Sequence, residues 1–182
     1  TTLFRSALAQ QCGRLDGIVH CAAEFKGLAS LENMPVEDWL TGLHVNLTAP
    51  LLLTRACLPL LREREDAAVL FLLDGPERST RAFWGSYGVA KQGLRGLVSI
   101  LREELASSPV HVHGVQPGPM RTTLRGRAWF AENPGQVPPP DAYAAACVRL
   151  LGRAGADAPG IVVLEADSPT APRGLGLATF SG

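Results

Sequence analysis

The chain has 182 residues, 46% of them hydrophobic, and balances 17 Lys and Arg against 17 Asp and Glu for a formal net charge of zero at pH 7. That length and apolar content can bury a core and predict one domain, while the balanced charge argues against nucleic acid or another polyanion as partner. No basic-then-apolar leader and no run of 18 apolar residues is visible, so the sequence gives no sign of a secretory or membrane-spanning segment.

Cys12, Cys21, Cys57 and Cys147 lie far apart without CxxC spacing, and only His20, beside Cys21, stands near any of them. They read as reduced, mostly buried thiols of a cytoplasmic protein, with no metal site expected.

In chain order, Thr1 or Thr2 can cap a helix that carries Leu3, Phe4, Ala7, Leu8 and Gln11 and stops at Gly13. Leu15 to Ala23 reads as a short buried strand running into a turn of small residues, where a flat ligand could approach the backbone; close packing explains the same residues as simply. Val36 to Leu61 follows a long helical pattern. Pro50 within it lacks an N–H, so a bend or a pair of helices is predicted near Asn46. Asn46 either marks a carbonyl freed to hold a water or is a buried amide that satisfies the bend. Arg62 to Asp66 reads as a solvated helix end.

Ala67 to Leu73 is an apolar run suited to a central parallel strand, and Asp74-Gly75-Pro76 is a turn signal. A helix from Trp84 to about Leu105 follows, and it holds Tyr87 and Lys91 four residues apart on one face. A tyrosine titrates near pKa ~10 in water, and a lysine cation beside it would favour the phenolate, moving the group towards acid/base work. Such a pair also occurs on helices by chance. Val110 to Val115 alternates as a strand and breaks at Gln116-Pro117-Gly118-Pro119. Met120 to Pro140 is a long irregular segment of the kind that borders substrate sites. A helix over 142–151 and a strand over 160–164 complete a domain of 1–164, and a Gly- and Pro-rich tail occupies 165–182. The alternation of strands and helices predicts an α/β fold with a parallel sheet and crossover helices.

Taken together, Leu15-Asp16-Gly17-Ile18-Val19-His20, Val45-Asn46, Trp84-Gly85-Ser86-Tyr87-Gly88-Val89-Ala90-Lys91 and Pro117-Gly118 resemble the short-chain dehydrogenase/reductase family, most closely its YciK-like bacterial branch. The resemblance spans nearly the whole chain. It implies a three-layer, Rossmann-like, doubly wound parallel sheet whose N-terminal part is missing, and an NAD- or NADP-dependent oxidoreductase acting on a small-molecule carbonyl or alcohol. By the same resemblance Tyr87 would exchange the proton at the substrate oxygen, Lys91 would hold the nicotinamide ribose and lower the tyrosine pKa, and Asn46 would hold a relay water. Pro117, Gly118, Met120 and Thr122 would lie along the nicotinamide, and Ala22 and Ala23 near the ribose. The helices of Asn46 and Tyr87 would pair with their copies in a homodimer or homotetramer, through outer positions that include Leu52, Ala56 and Leu97. Trp84, Trp129 and Phe130 would border the substrate.

Three departures qualify that pattern. Cys21-Ala22-Ala23 stands where the family has Asn-Ala-Gly. Asp74 stands at the position of the family's catalytic serine, and an ionised carboxylate can only accept a hydrogen bond where the hydroxyl donates one. A protonated Asp74, a donor on the substrate, or Ser79, Thr80 or Ser86 would have to make up the difference. The Gly-rich βαβ unit does not appear. The chain is then expected to be a piece of a longer protein, an incompletely described one, or a remnant that no longer binds a dinucleotide; the unpaired apolar sheet edge that a remnant would expose favours the first two. The alternative to an enzyme is a catalytically silent relative kept for binding or assembly.

Overall fold

A computed structural model describes residues 2–152 and 155–166. The elements are α1 (Thr2–Cys12), β1 (Gly17–His20), α2 (Val36–Leu43), a π-helical turn (His44–Thr48), α3 (Ala49–Leu61), β2 (Ala67–Leu72), α4 (Pro76–Ser79), α5 (Gly85–Glu104), β3 (Val110–Pro117), α6 (Thr123–Ala128), α7 (Ala144–Leu151) and β4 (Ile161–Leu164). The four strands lie in sequence order, each parallel to its neighbour: Ile18 is opposite Val69, Val69 opposite Val112, and Val115 opposite Val162. Parallel pairing forces crossover connections, and the helices between strands supply them.

Period-2 alternation sorts β2 between two faces. Val69 and Phe71 pack with Cys57, Leu61, Leu94, Val98 and Leu101 from α3 and α5. Leu70 points the other way, to Leu150 and Tyr143 at α7, with Val115 and Val162. The result is helix, sheet, helix: the parallel α/β sheet that the order of elements predicts, in the doubly wound form that the family resemblance implies. Phe71, Leu70, Leu61 and Val69 are fully enclosed, and each such side chain stabilises the fold by about 1.5–3 kcal/mol.

The predicted bend near Asn46 takes a specific form: the backbone widens into the π turn, and Pro50 sits in the first turn of α3, where its missing N–H costs no bond. Asn46 is buried there. Its Nδ2 donates to the carbonyls of Glu24 (2.8 Å) and Gly42 (2.8 Å), and its Oδ1 accepts from the Glu24 N–H (3.0 Å). Glycine matters where helices nearly touch. A Cβ on Gly88 would sit 2.1 Å from the Ser79 carbonyl oxygen, so the close approach of α5 to α4 at this point requires glycine.

Several sequence expectations need correction. β1 spans only Gly17–His20, because Cys21 to Ala23 have already left the sheet. The segment after Pro117 is not irregular throughout: Thr122 caps α6 by accepting the Arg125 N–H on its hydroxyl. Cys12 and Cys21 are exposed and only Cys57 is buried, since α1 and the turn after β1 lie outside the core. Ala56 is buried, and Leu97 packs against the core cluster. Of the three residues expected on an outer face, only Leu52 is exposed. The tail from 167 onward lies outside the described residues.

Candidate active site

The parallel strands β2 and β3 end side by side, and the chain passes from them into α4 and α6 respectively. Between these exits lies a cavity of about 380 Å³, at the carboxyl ends of the strands, where open α/β sheets bind ligands. One wall is Leu72, Leu73, Asp74 and Arg78, with Tyr87 and Lys91 from α5. The facing wall runs from Pro117 to Met120 and on through Thr122, Arg125 and Trp129, and Cys21 and Ala23 close one end.

Tyr87 and Lys91 share a face of α5 as the four-residue spacing requires, with Nζ 5.5 Å from the centre of the phenol ring. Lys91 is 4% exposed and donates to the Leu72 carbonyl at 2.7 Å. Burial lowers its pKa to about 8, with Asp74 and Cys21 opposing the shift.

The tyrosine does not behave as the sequence suggests. Its hydroxyl donates to Asp74 Oδ2 at 3.1 Å. Burial first, then the Asp74 charge and this bond, push the Tyr87 pKa well above the ordinary phenol value, and only Arg78 pulls it down. The expected lowering by Lys91 is therefore overturned. The carboxylate touches the hydroxyl while the ammonium faces the ring, so the anion adds to the effect of burial and outweighs the cation.

Asp74 is the hub of the wall. Its Oδ1 accepts from the Gly75 N–H (2.7 Å) and from Arg78 Nε (2.9 Å) and Nη2 (2.7 Å), and its Oδ2 accepts from Tyr87. The three hydroxyls considered as substitutes for a serine are engaged elsewhere: Ser79 donates to the Gly75 carbonyl, Thr80 to that of Pro76 and Ser86 to that of Asp38. None of them lines the cavity.

Ala23, Pro117, Gly118, Met120 and Thr122 line the cavity as the sequence suggests, while Ala22 and Asn46 do not. The side-chain amide of Asn46 is engaged with Glu24 and Gly42. Trp129 borders the site. Trp84 lies behind it, packed against Phe25, Tyr87 and Trp129, and Phe130 is 87% exposed and faces away. Sequence reasoning missed Arg78 and Arg125. The first stands four residues after Asp74 in a helical turn, the spacing at which opposite charges meet, and that signal was available. Arg125 lies over the Trp129 ring at 4.4 Å and grips both oxygens of Glu132 at 2.6 Å, a pairing of residues seven apart that nothing local announces.

The sequence profile of the short chain dehydrogenase family matches residues 2–133. The chain belongs to that family. Among curated relatives, the uncharacterized oxidoreductase YciK of Escherichia coli K12 is 30% identical over 127 residues, covering 70% of this chain and 50% of its own. Dehydrogenase/reductase SDR family member 4 of Bos taurus is 33% identical over 117 residues, covering 64% and 42%. The chain thus spans about half the length of the curated relatives it matches. A solved structure from Pseudomonas syringae, described as a short chain dehydrogenase, superposes with a TM-score of 0.83 at 35% identity over 91% of this chain and 67% of that one. The E. coli YciK structure gives 0.80 at 27% over 92% and 70%. A metagenomic short-chain oxidoreductase in complex with NADP gives 0.72 at 25% over 92% and 69%. These relatives support the YciK-like branch of the short-chain dehydrogenases and the doubly wound fold. No helix among the described residues is long and apolar enough to cross a membrane.

Proposed function

We propose that this chain carries the catalytic half of an NAD(P)-dependent oxidoreductase that interconverts a carbonyl compound and its alcohol. The observation that carries the reading is the buried Tyr87 hydroxyl at the cavity wall, one helical turn from a buried lysine. The donor set suits the nicotinamide riboside half of a dinucleotide: Lys91 spends one of its three N–H bonds on Leu72, leaving two for a ribose diol, and Ala23, Pro117 and Gly118 leave room for a flat ring.

Bound there, the dinucleotide would supply or accept the hydride. Tyr87 would give the carbonyl oxygen its proton during reduction and take it back during oxidation. The phenol is protonated at neutral pH, as the reducing direction requires, and its raised pKa makes it a weaker acid than free tyrosine, so the bound substrate oxygen must offset that cost. Lys91 would hold the ribose, Thr122 and Met120 would flank the nicotinamide, and Asn46 would act as a positioning residue that ties the loop after β1 to the π turn. Asp74 would orient the Tyr87 hydroxyl. With Leu52 exposed on α3, pairing of this face with a second copy completes the proposal.

The test is to titrate NADPH and NADH into the full-length protein, following nicotinamide fluorescence, and then to follow oxidation of the bound form with a panel of carbonyl compounds. Saturable binding with turnover that disappears in Tyr87→Phe is the expected outcome. Failure to bind either dinucleotide would instead establish a silent relative, a reading favoured by the Asp74 carboxylate that holds the phenol proton.

A further inference from the structure

The Asp74–Arg78 pair makes this wall unlike one built around a serine. A serine presents one neutral hydroxyl. Here the corresponding backbone position carries an anion whose own cation, Arg78, stands on the cavity surface. Arg78 is partly buried, with 24% of its side chain exposed. Its Nε and Nη2 both end on a single oxygen, Asp74 Oδ1, and among the described residues Nη1 meets the largely exposed Glu77 at 3.5 Å. The planar fork is held in orientation along one edge and remains available along the other. Arg125 differs: two of its nitrogens are matched to the two oxygens of Glu132, and its plane is stacked on Trp129.

Charge at the lining points the same way. Among the described residues the lining carries the cations Arg78, Lys91 and Arg125 and the carboxylate Asp74; with Arg125 offset by Glu132 and Arg78 by Asp74, Lys91 leaves an excess of positive charge that favours an anionic ligand, although the chain as a whole is neutral. The Asp74 charge is itself covered by donors from Gly75, Arg78 and Tyr87.

Position decides which part of a ligand carries the charge. Arg78 and Tyr87 are bonded to the two oxygens of one carboxyl group and both line the cavity, so they stand one carboxylate apart on its wall. We propose that the site takes a carbonyl substrate bearing a carboxylate next to the reacting carbon, a 2-oxo acid or the corresponding 2-hydroxy acid, with Arg78 as the residue that binds the acid group. This rests on the oxidoreductase reading above. In the reducing direction a C–H bond forms at the keto carbon by hydride delivery, with reduced nicotinamide dinucleotide as the reductant. The π pair of the C=O moves to oxygen, and that oxygen takes the proton of Tyr87, which solvent later restores. The carboxylate stays unchanged on Arg78.

The test uses the full-length protein and oxamate, an unreactive 2-oxo acid mimic, against its neutral methyl ester, with tryptophan fluorescence as the readout because Trp129 borders the cavity. Oxamate should bind at least about tenfold more tightly than the ester, a preference worth about 1.4 kcal/mol, and the preference should shrink as salt rises. In turnover, kcat/KM for pyruvate should exceed that for neutral 2,3-butanedione. Arg78→Leu should collapse this ratio by about tenfold or more, chiefly through KM for pyruvate, and Arg78→Lys should restore part of it. Should Arg78→Leu fail to fold, the oxamate and ester comparison on the unaltered protein still decides. Equal binding of oxamate and ester, with butanedione reduced as well as pyruvate, overturns the substrate assignment while leaving the oxidoreductase reading intact. Oxamate binding without turnover of any carbonyl compound overturns both and leaves an anion-binding relative.

Discussion

Two clusters of buried polar groups flank the central strands, and they differ in what lies beyond them. At the first, on β3, His113 is fully enclosed. Its Nδ1 stands 3.1 Å from the Pro159 carbonyl, which can only accept, so that nitrogen carries the proton. Arg102 closes over it, donating to the carbonyls of Val112 (3.1 Å) and Ala158 (2.9 Å). Burial lowers the His113 pKa, so the ring is neutral. Every strong bond here ends on main chain, and the cluster clamps β3 to the segment before β4. At the second cluster, Asp74, Arg78, Tyr87 and Lys91 are as constrained but open onto a cavity. The same physics, desolvation opposed by a few fixed partners, yields a clamp in one place and a phenol and a cation lining a cavity in the other. Access to a ligand makes the difference.

The sharpest way to break the comparison is Tyr87→Phe. Removing one hydroxyl should lower kcat by about 10²–10⁴-fold with dinucleotide affinity retained, as stopped-flow and fluorescence titration would show; an equal loss from Arg102→Met without unfolding would erase the distinction between the clusters. Next in size, Lys91 should impose a pH limit. Its pKa of about 8 means that the ammonium is lost as pH rises through that value, so dinucleotide affinity should weaken above it. Lys91→Arg, whose charge persists, should flatten that profile.

The buried histidines, His113 of the clamp and His20 at the end of β1, set an acid limit. His113 is lowered by burial, and His20, bonded to Thr54 and stacked on Phe71, is lowered to about 4 for the same reason. The unfolded chain therefore binds protons first as pH falls. Stability should hold above the ordinary histidine value of 6.5 and decline below it, with the His20 contribution fully lost below about 4. Thermal melts from pH 7.5 to 4.5 would follow this, and His20→Gln should reduce the slope. The smallest effect is expected from Asp74→Asn. It removes the charge that raises the phenol, so the Tyr87 titration, followed by ultraviolet difference absorbance, should move down towards the ordinary range. An upward or absent shift would contradict the role given to Asp74.

Periodicity alone was enough for much of the fold. The apolar run at Ala67–Leu72 is a central strand, and the helix of Tyr87 and the break at Pro117-Gly118 fall where pattern and turn chemistry put them. Spacing alone also put Tyr87 and Lys91 on one helix face. It failed at the charge environment: a helical spacing reports which side chains are neighbours along one element, and Asp74 reaches Tyr87 from a different one. The buried Ala56, the outward Phe130 and the Arg125–Glu132 pair were illegible for a related reason, since each depends on how a loop or helix is seated.

What the sequence by itself determined is the order of elements, the parallel sheet and the presence of a phenol and an ammonium one turn apart, because these follow from local periods that a chain carries in its own spacing. What only the tertiary structure decided is which charge governs the phenol and which cation faces the cavity. Those answers depend on distances between elements, and electrostatic influence inside a protein depends on such distances and on desolvation rather than on separation along the chain.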